Sequence, residues 1–114
     1  MLTIYHNPRC SKSRQTLQLL EEQGLEPAII EYLKQPLSKT QLKDLLGMLG
    51  LEVRDIIRTS EADYKDNNIK DPNLTDDQLL DAIVGMPKLM QRPIVVNGNK
   101  AAIGRPPEHV LDIL

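Results

Sequence analysis

The chain has 114 residues, 40% of them hydrophobic and 26% charged, with a formal net charge of −2 at pH 7, one cysteine and neither Phe nor Trp. That length supports a single domain with an aliphatic core and no reliance on disulfides or metals. The charge argues against a nucleic-acid binder working through bulk positive potential, no apolar run approaches the roughly 18 residues of a membrane span, and a lone thiol excludes an internal disulfide.

Leu2 to His6 alternates apolar and polar residues, the pattern of a half-buried strand. Met1-Leu2-Thr3-Ile4 reads straight into it without a charged n-region or an apolar h-region, so no signal peptide is expected. A thiol that must stay reduced suits the cytoplasm. Asn7-Pro8 breaks the strand, and Asn7 suits a turn by bonding its own backbone. The spacing then predicts a helix over Ser11 to Gln23 with Ser13, Leu17 and Leu20 on one face, closed by Gly24. Pro27 to Glu31 reads as a second strand, and strand–helix–strand order implies a right-handed parallel unit.

After Pro36 the texture turns helical. Ser38-Lys39-Thr40-Gln41 is a capping box ahead of Leu42, Leu45, Leu46 and Leu49, and Thr75-Asp76-Asp77-Gln78 is another ahead of Leu79, Leu80, Ile83 and Val84. Between them stand a short helical candidate at Arg54 to Arg58 and a polar stretch, Tyr64 to Asn73, expected as loop or broken helix. Pro93-Ile94-Val95-Val96, Asn97-Gly98 and Lys100 to Ile103 form a hairpin pattern turning at Asn-Gly. Gly104-Arg105-Pro106-Pro107 opens a last helix.

This order matches the thioredoxin fold: one α/β domain over 1–114 with a mixed four-stranded sheet and a helical insertion, about 37–90, between the second and third strands. That architecture places a cis-proline opposite its active cysteine. Arg92-Pro93 is the candidate here, and it would carry Arg92 toward Cys10.

Cys10 lies among polar and cationic neighbours, Arg9, Lys12 and Arg14, at the start of the first helix. Unpaired N–H groups and the positive end of the macrodipole favour thiolate there, and thiolate is the reactive form. The pattern is C-x-x-S, so the Ser13 hydroxyl is placed to bond the sulfur, no resolving thiol is near, and any redox cycle needs a second thiol from another molecule. Thr16 at the sixth position after Cys10 excludes a phosphatase-type C-x5-R loop. His6 is close enough in sequence to act as a nearby charge or proton shuttle. Arg58, Arg92 and Arg105 offer guanidinium forks suited to a tetrahedral oxyanion. His6, His109 and Cys10 lack metal-ligand spacing, so no metal is expected.

Four blocks carry a resemblance over nearly the whole chain: Ile4-Tyr5-His6-Asn7-Pro8-x-Cys10-x-x-Ser13-Arg14-x-Thr16-Leu17, Arg58 after Ile56-Ile57, Arg92-Pro93-Ile94-Val95-Val96, and Gly104-Arg105-Pro106. With Thr75 to Leu79 between them, the sequence resembles the glutaredoxin-coupled arsenate reductase (ArsC) family, and its length is similar to a short housekeeping branch. The resemblance implies that Cys10 attacks arsenate while Arg58, Arg92 and Arg105 hold the oxyanion and its adduct. It implies that His6, Ser13, Asn7 and Arg14 support the thiolate. It further implies glutathione as co-substrate, glutaredoxin as partner, no bound cofactor and a monomer. Known reductases tend to carry Gly-Thr after the cysteine; this chain has Ser11-Lys12, which adds a charge beside the anion site.

Two other readings use the same residues. The scaffold could reduce another substrate or a protein mixed disulfide, or serve as a non-enzymatic RNA polymerase adaptor similar to the Spx regulators. Ser13 removes the C-x-x-C switch of many such regulators, and three retained arginines favour an oxyanion site.

Overall fold

A computed structural model describes residues 2–114; Met1, the first residue of the strand reading, lies outside the described residues. The chain divides into two compact units, one formed by residues 2–35 with Arg92–Leu114 and the other by Pro36–Gln91.

In the first unit, strand β1 (Leu2–His6), helix α1 (Ser11–Glu22) and strand β2 (Ala28–Glu31) follow in order, and the unit closes with β3 (Ile94–Asn97), β4 (Lys100–Ile103) and a tight 3-10 helix, Pro107–Ile113. The strands form one mixed sheet in the order β2-β1-β3-β4. β1 runs parallel to β2 and antiparallel to β3, and β3 runs antiparallel to β4. The thioredoxin-like α/β architecture expected from the sequence is therefore present.

The two-residue period of β1 puts Ile4 and His6 on one buried face. Ile4, Leu20, Val95 and Val110 make the core there, joined by Leu17, Leu25 and Ile113. Burying Leu20 alone contributes about 2 kcal/mol. α1 ends in a Schellman motif: Gly24 takes φ +77, its N–H donates to Glu21, and the Leu25 N–H donates to Leu20.

The hairpin turns one residue later than expected. Asn97 still pairs with Lys100, so Gly98 (φ +63) and Asn99 occupy the turn. Asn97 is kept in the strand by its side chain, whose Nδ2 donates to the Ile113 carbonyl at 2.7 Å. The closing helix is 3-10 throughout, with two prolines at its start to restrict its first turn.

In the second unit both capping boxes form as the sequence predicts, at Ser38 for α2 (Lys39–Leu49) and at Thr75 for α4 (Asp76–Gly85). A short α3 (Ala62–Asp66) and 3-10 turns at Val53–Ile56 and Pro87–Leu89 fill the remainder. Leu42, Leu45, Ile56, Leu79, Ile83 and Leu89 are buried, and Lys39 bridges α2 to α4 by pairing with Asp77 and Asp81. Among the described residues, no helix is long and apolar enough to cross a membrane.

Candidate active site

Cys10 is the N-cap of α1, with extended backbone angles (φ −91°, ψ 123°) and no capping bond from its own side chain. Its sulfur is therefore left to face whatever approaches the positive end of the helix. The residue is 9% exposed, enough for a small reagent to reach it and too little for free solvation.

The loop that presents it is pinned at four points. Cys10 N–H donates to the Asn7 carbonyl at 3.0 Å. Asn7 Oδ1 accepts from Arg9 N–H at 3.0 Å, the local turn that asparagine favours. The Arg14 guanidinium donates to the Pro8 carbonyl at 2.9 Å, and Asn7 N–H donates to Ser13 Oγ at 3.0 Å.

Ser13 is fully buried, and its oxygen lies 2.6 Å from His6 Nδ1. Ser13 Oγ thus joins the buried imidazole to the Asn7 amide, from which it accepts. Burial pushes the His6 pKa down, Arg14 adds to that, and Glu31 on the adjacent strand opposes it. The sequence placed the Ser13 hydroxyl on the Cys10 sulfur; the structure places it on His6 and the Asn7 amide. Ser13, Asn7 and Arg14 all hydrogen-bond within the loop that carries Cys10.

The charge at the sulfur comes from the other end of the unit. Arg105 Nη2 donates to Cys10 Sγ at 3.5 Å, and Arg105 Nε donates to the Arg92 carbonyl at 2.7 Å. The Arg92–Pro93 peptide is cis, as expected, and so is Arg105–Pro106, which the sequence did not single out. Proximity to Cys10 was expected of Arg92 first and of Arg105 second. In the structure Arg105 donates to the sulfur, and the Arg92 carbonyl accepts from the same guanidinium.

Arg58 belongs to the second unit. Its amide donates to the Leu89 carbonyl at 2.7 Å, and its guanidinium forms an ion pair with Glu61. Among the described residues no group of three or more His, Cys, Asp or Glu side chains is arranged to hold a metal ion.

Two participants were not legible beforehand. The Arg92 main-chain carbonyl carries no side-chain signal at all. Thr16, which the sequence offers only by its spacing from Cys10 and within the family resemblance, is wholly buried and donates to the Lys12 carbonyl at 2.8 Å.

The model of the ArsC family matches residues 5–113. Among similar proteins is the uncharacterized protein YfgD of Escherichia coli, 53% identical over 97% of this chain and 94% of its own length. The arsenate reductase of Haemophilus influenzae is 48% identical over 97% of each chain. The solved structure of an arsenate reductase from Vibrio cholerae superimposes with a TM-score of 0.97 at 53% identity, covering 99% of this chain and 97% of that one. A lone thiol at the start of α1, a guanidinium donated to it by the Gly104-Arg105-Pro106 segment and a match over almost every residue lead to one assignment: the chain belongs to the ArsC family.

Proposed function

We propose that the chain is an arsenate reductase that couples to glutathione and glutaredoxin. The observation that carries this reading is the Arg105 guanidinium set against the single thiol of Cys10 at a helix N-terminus. Relatives named arsenate reductase, similar over nearly their full lengths, support it.

In this reading Cys10 sulfur attacks As(V), an oxygen of arsenate leaves as water, and a Cys10–S–As bond forms. A glutathione thiol then enters the adduct. The two electrons that reduce As(V) to As(III) come from sulfur, so arsenite departs and a mixed disulfide remains. A glutaredoxin thiol resolves that disulfide and returns Cys10 to the reduced state. With one cysteine in the chain, the second sulfur must come from outside. Arg105 stabilises the anionic adduct through charge-assisted hydrogen bonds, and the family resemblance gives Arg92 and Arg58 the same task.

The test is arsenite production by purified protein supplied with arsenate, glutathione and glutaredoxin, compared with Cys10→Ser. Turnover in the wild type and none in the variant is expected. No arsenite from a wild-type protein whose thiol still alkylates would remove arsenate as the substrate.

A further inference from the structure

We propose that Gly104 and Thr16 are positioning residues that together set where Arg105 stands relative to the Cys10 sulfur. The proposal deepens the reading above, because it rests on Arg105 meeting an anion at Cys10.

Gly104 is unlike the other five glycines of the chain. A Cβ built on any of those would meet nothing within 4 Å, whereas on Gly104 it would lie 2.5 Å from Thr16 Oγ1, 2.8 Å from Pro93 Cγ and 3.1 Å from Thr16 Cγ2. Gly104 does not adopt a left-handed φ, so backbone freedom is not what a glycine supplies here. It supplies space. The chain passes directly over Thr16 in α1 and over the Pro93 ring, immediately before the residue that reaches the sulfur.

Neither neighbour yields easily. Thr16 is fully buried with its hydroxyl committed to the Lys12 carbonyl, and the ring of Pro93 is rigid and buried. The segment itself is held by Gly104 N–H on the Pro93 carbonyl at 2.9 Å and by Arg105 N–H on the Ile103 carbonyl at 2.9 Å. A methyl at position 104 therefore lifts the segment away from α1, and Arg105 moves with it. Reaching even a 3.0 Å contact with Thr16 needs a shift of about 0.5 Å, in a range where misplacing a reacting group by about 1 Å can cost about a hundredfold in rate.

The two residues should consequently behave as a lock and its key. Enlarging position 104 pushes Arg105 off its mark, and shrinking Thr16 removes the tighter of the two clashes while the 2.8 Å approach to Pro93 remains. In the native background the same shrinkage removes the surface on which Gly104 rests. Thr16→Ala thus has opposite effects in the two backgrounds, a signature that simple loss of stability does not produce.

The experiment measures alkylation of Cys10 by anionic iodoacetate and by neutral iodoacetamide, in protein whose folding is checked by circular dichroism. The ratio of the two rates reports the cation at the sulfur, and the neutral rate reports access. Gly104→Ala is expected to lower the ratio about fivefold while the neutral rate changes less than about twofold. Adding Thr16→Ala to it should restore at least half of the loss, whereas Thr16→Ala alone should lower the ratio about twofold.

A folded Gly104→Ala protein with an unchanged ratio, or one that Thr16→Ala does not restore, overturns the proposal. If Gly104→Ala does not fold, an unchanged ratio in Thr16→Ala alone overturns it equally. Arg105→Ala separates the two levels of the argument. If it leaves the ratio intact, Arg105 is not the anion-facing group and the reading of the site fails with it; if it lowers the ratio while Gly104→Ala does not, only the positioning role fails.

Discussion

Arg105 Nε donates to the carbonyl oxygen of Arg92 at 2.7 Å, and this bond turns a flexible cation into a directed one. An arginine on an exposed segment loses considerable side-chain entropy when ordered. Here one edge of its planar fork is anchored on main chain, so the opposite edge presents Nη2 to the Cys10 sulfur. The anchor is the carbonyl of the cis Arg92–Pro93 peptide, just ahead of β3. Only a guanidinium bonds a carbonyl through Nε and a sulfur through Nη2 at once.

Arg105→Lys should therefore fail as a conservative replacement. An ammonium keeps the charge and loses the fork, so a lysine reaching the Arg92 carbonyl has no second arm for the sulfur. Charge-assisted bonds of this kind contribute about 1.5–3 kcal/mol, which converts to a fall in kcat/KM for arsenate of about ten- to a hundredfold. Steady-state arsenite production checks it. Wild-type kcat/KM in the lysine variant would show that charge alone suffices.

Much of this arrangement could be read from residues and much could not. The capping boxes at Ser38 and Thr75 and Gly24 as a helix stop follow from local chemistry that leaves a signature in residue types, whereas the mixed sheet and the cis Arg92–Pro93 peptide follow from the match to the thioredoxin fold. The partner of Ser13 leaves none. Position 13 lies in the first turn of α1, and its oxygen meets His6 and the Asn7 amide only because of the path the loop takes, which residue types do not display. The hairpin turn slipped by one residue for a similar reason: Asn97 bonds a carbonyl sixteen residues away, which no local propensity encodes. The Arg105 contact with the sulfur is aimed by the Arg92 main-chain carbonyl, which no motif displays.

Ser13→Ala should destabilise the protein by about 2 kcal/mol, because it leaves the Asn7 N–H and the buried His6 ring without their partner. The loop carrying Cys10 loses one of its pins at the same time. Urea unfolding followed by circular dichroism measures the first effect. The second should appear as faster proteolysis between Asn7 and Arg9, and a variant with wild-type unfolding midpoint would show that the hydroxyl is dispensable.

Stability should fall as the solution is acidified through the range just below the ordinary histidine value. The folded His6 pKa is lowered, chiefly by burial, while the unfolded value stays near 6.5. Between the two values the unfolded chain binds more protons than the folded one, so stability rises with pH there. His6 therefore adds a stability that is complete above about 6.5 and is lost as pH drops through the folded pKa. Urea midpoints from pH 7.5 to 5 should show this decline in the wild type and a shallower one in His6→Gln, which keeps an acceptor for Ser13 without a titrating ring. Parallel slopes would assign the decline to other groups.

Arg58, to which the ArsC resemblance gives a role in holding the oxyanion, has its guanidinium engaged by Glu61 three residues on, with side-chain exposures of 17% and 25%. An arginine paired with a carboxylate has part of its charge and a donor committed, here Nη1 to Glu61 Oε1, so an oxyanion that recruits it must share or displace Glu61. Such competition weakens ground-state binding and leaves the chemical step at the sulfur alone. Glu61→Gln keeps the shape and removes the charge, so it should lower KM for arsenate about threefold with kcat within about twofold of wild type. In an Arg58→Ala background the same change should do nothing, since the competition has lost its object. A KM that stays put in the single variant, or falls equally in both backgrounds, would show that Glu61 does not compete with substrate through Arg58.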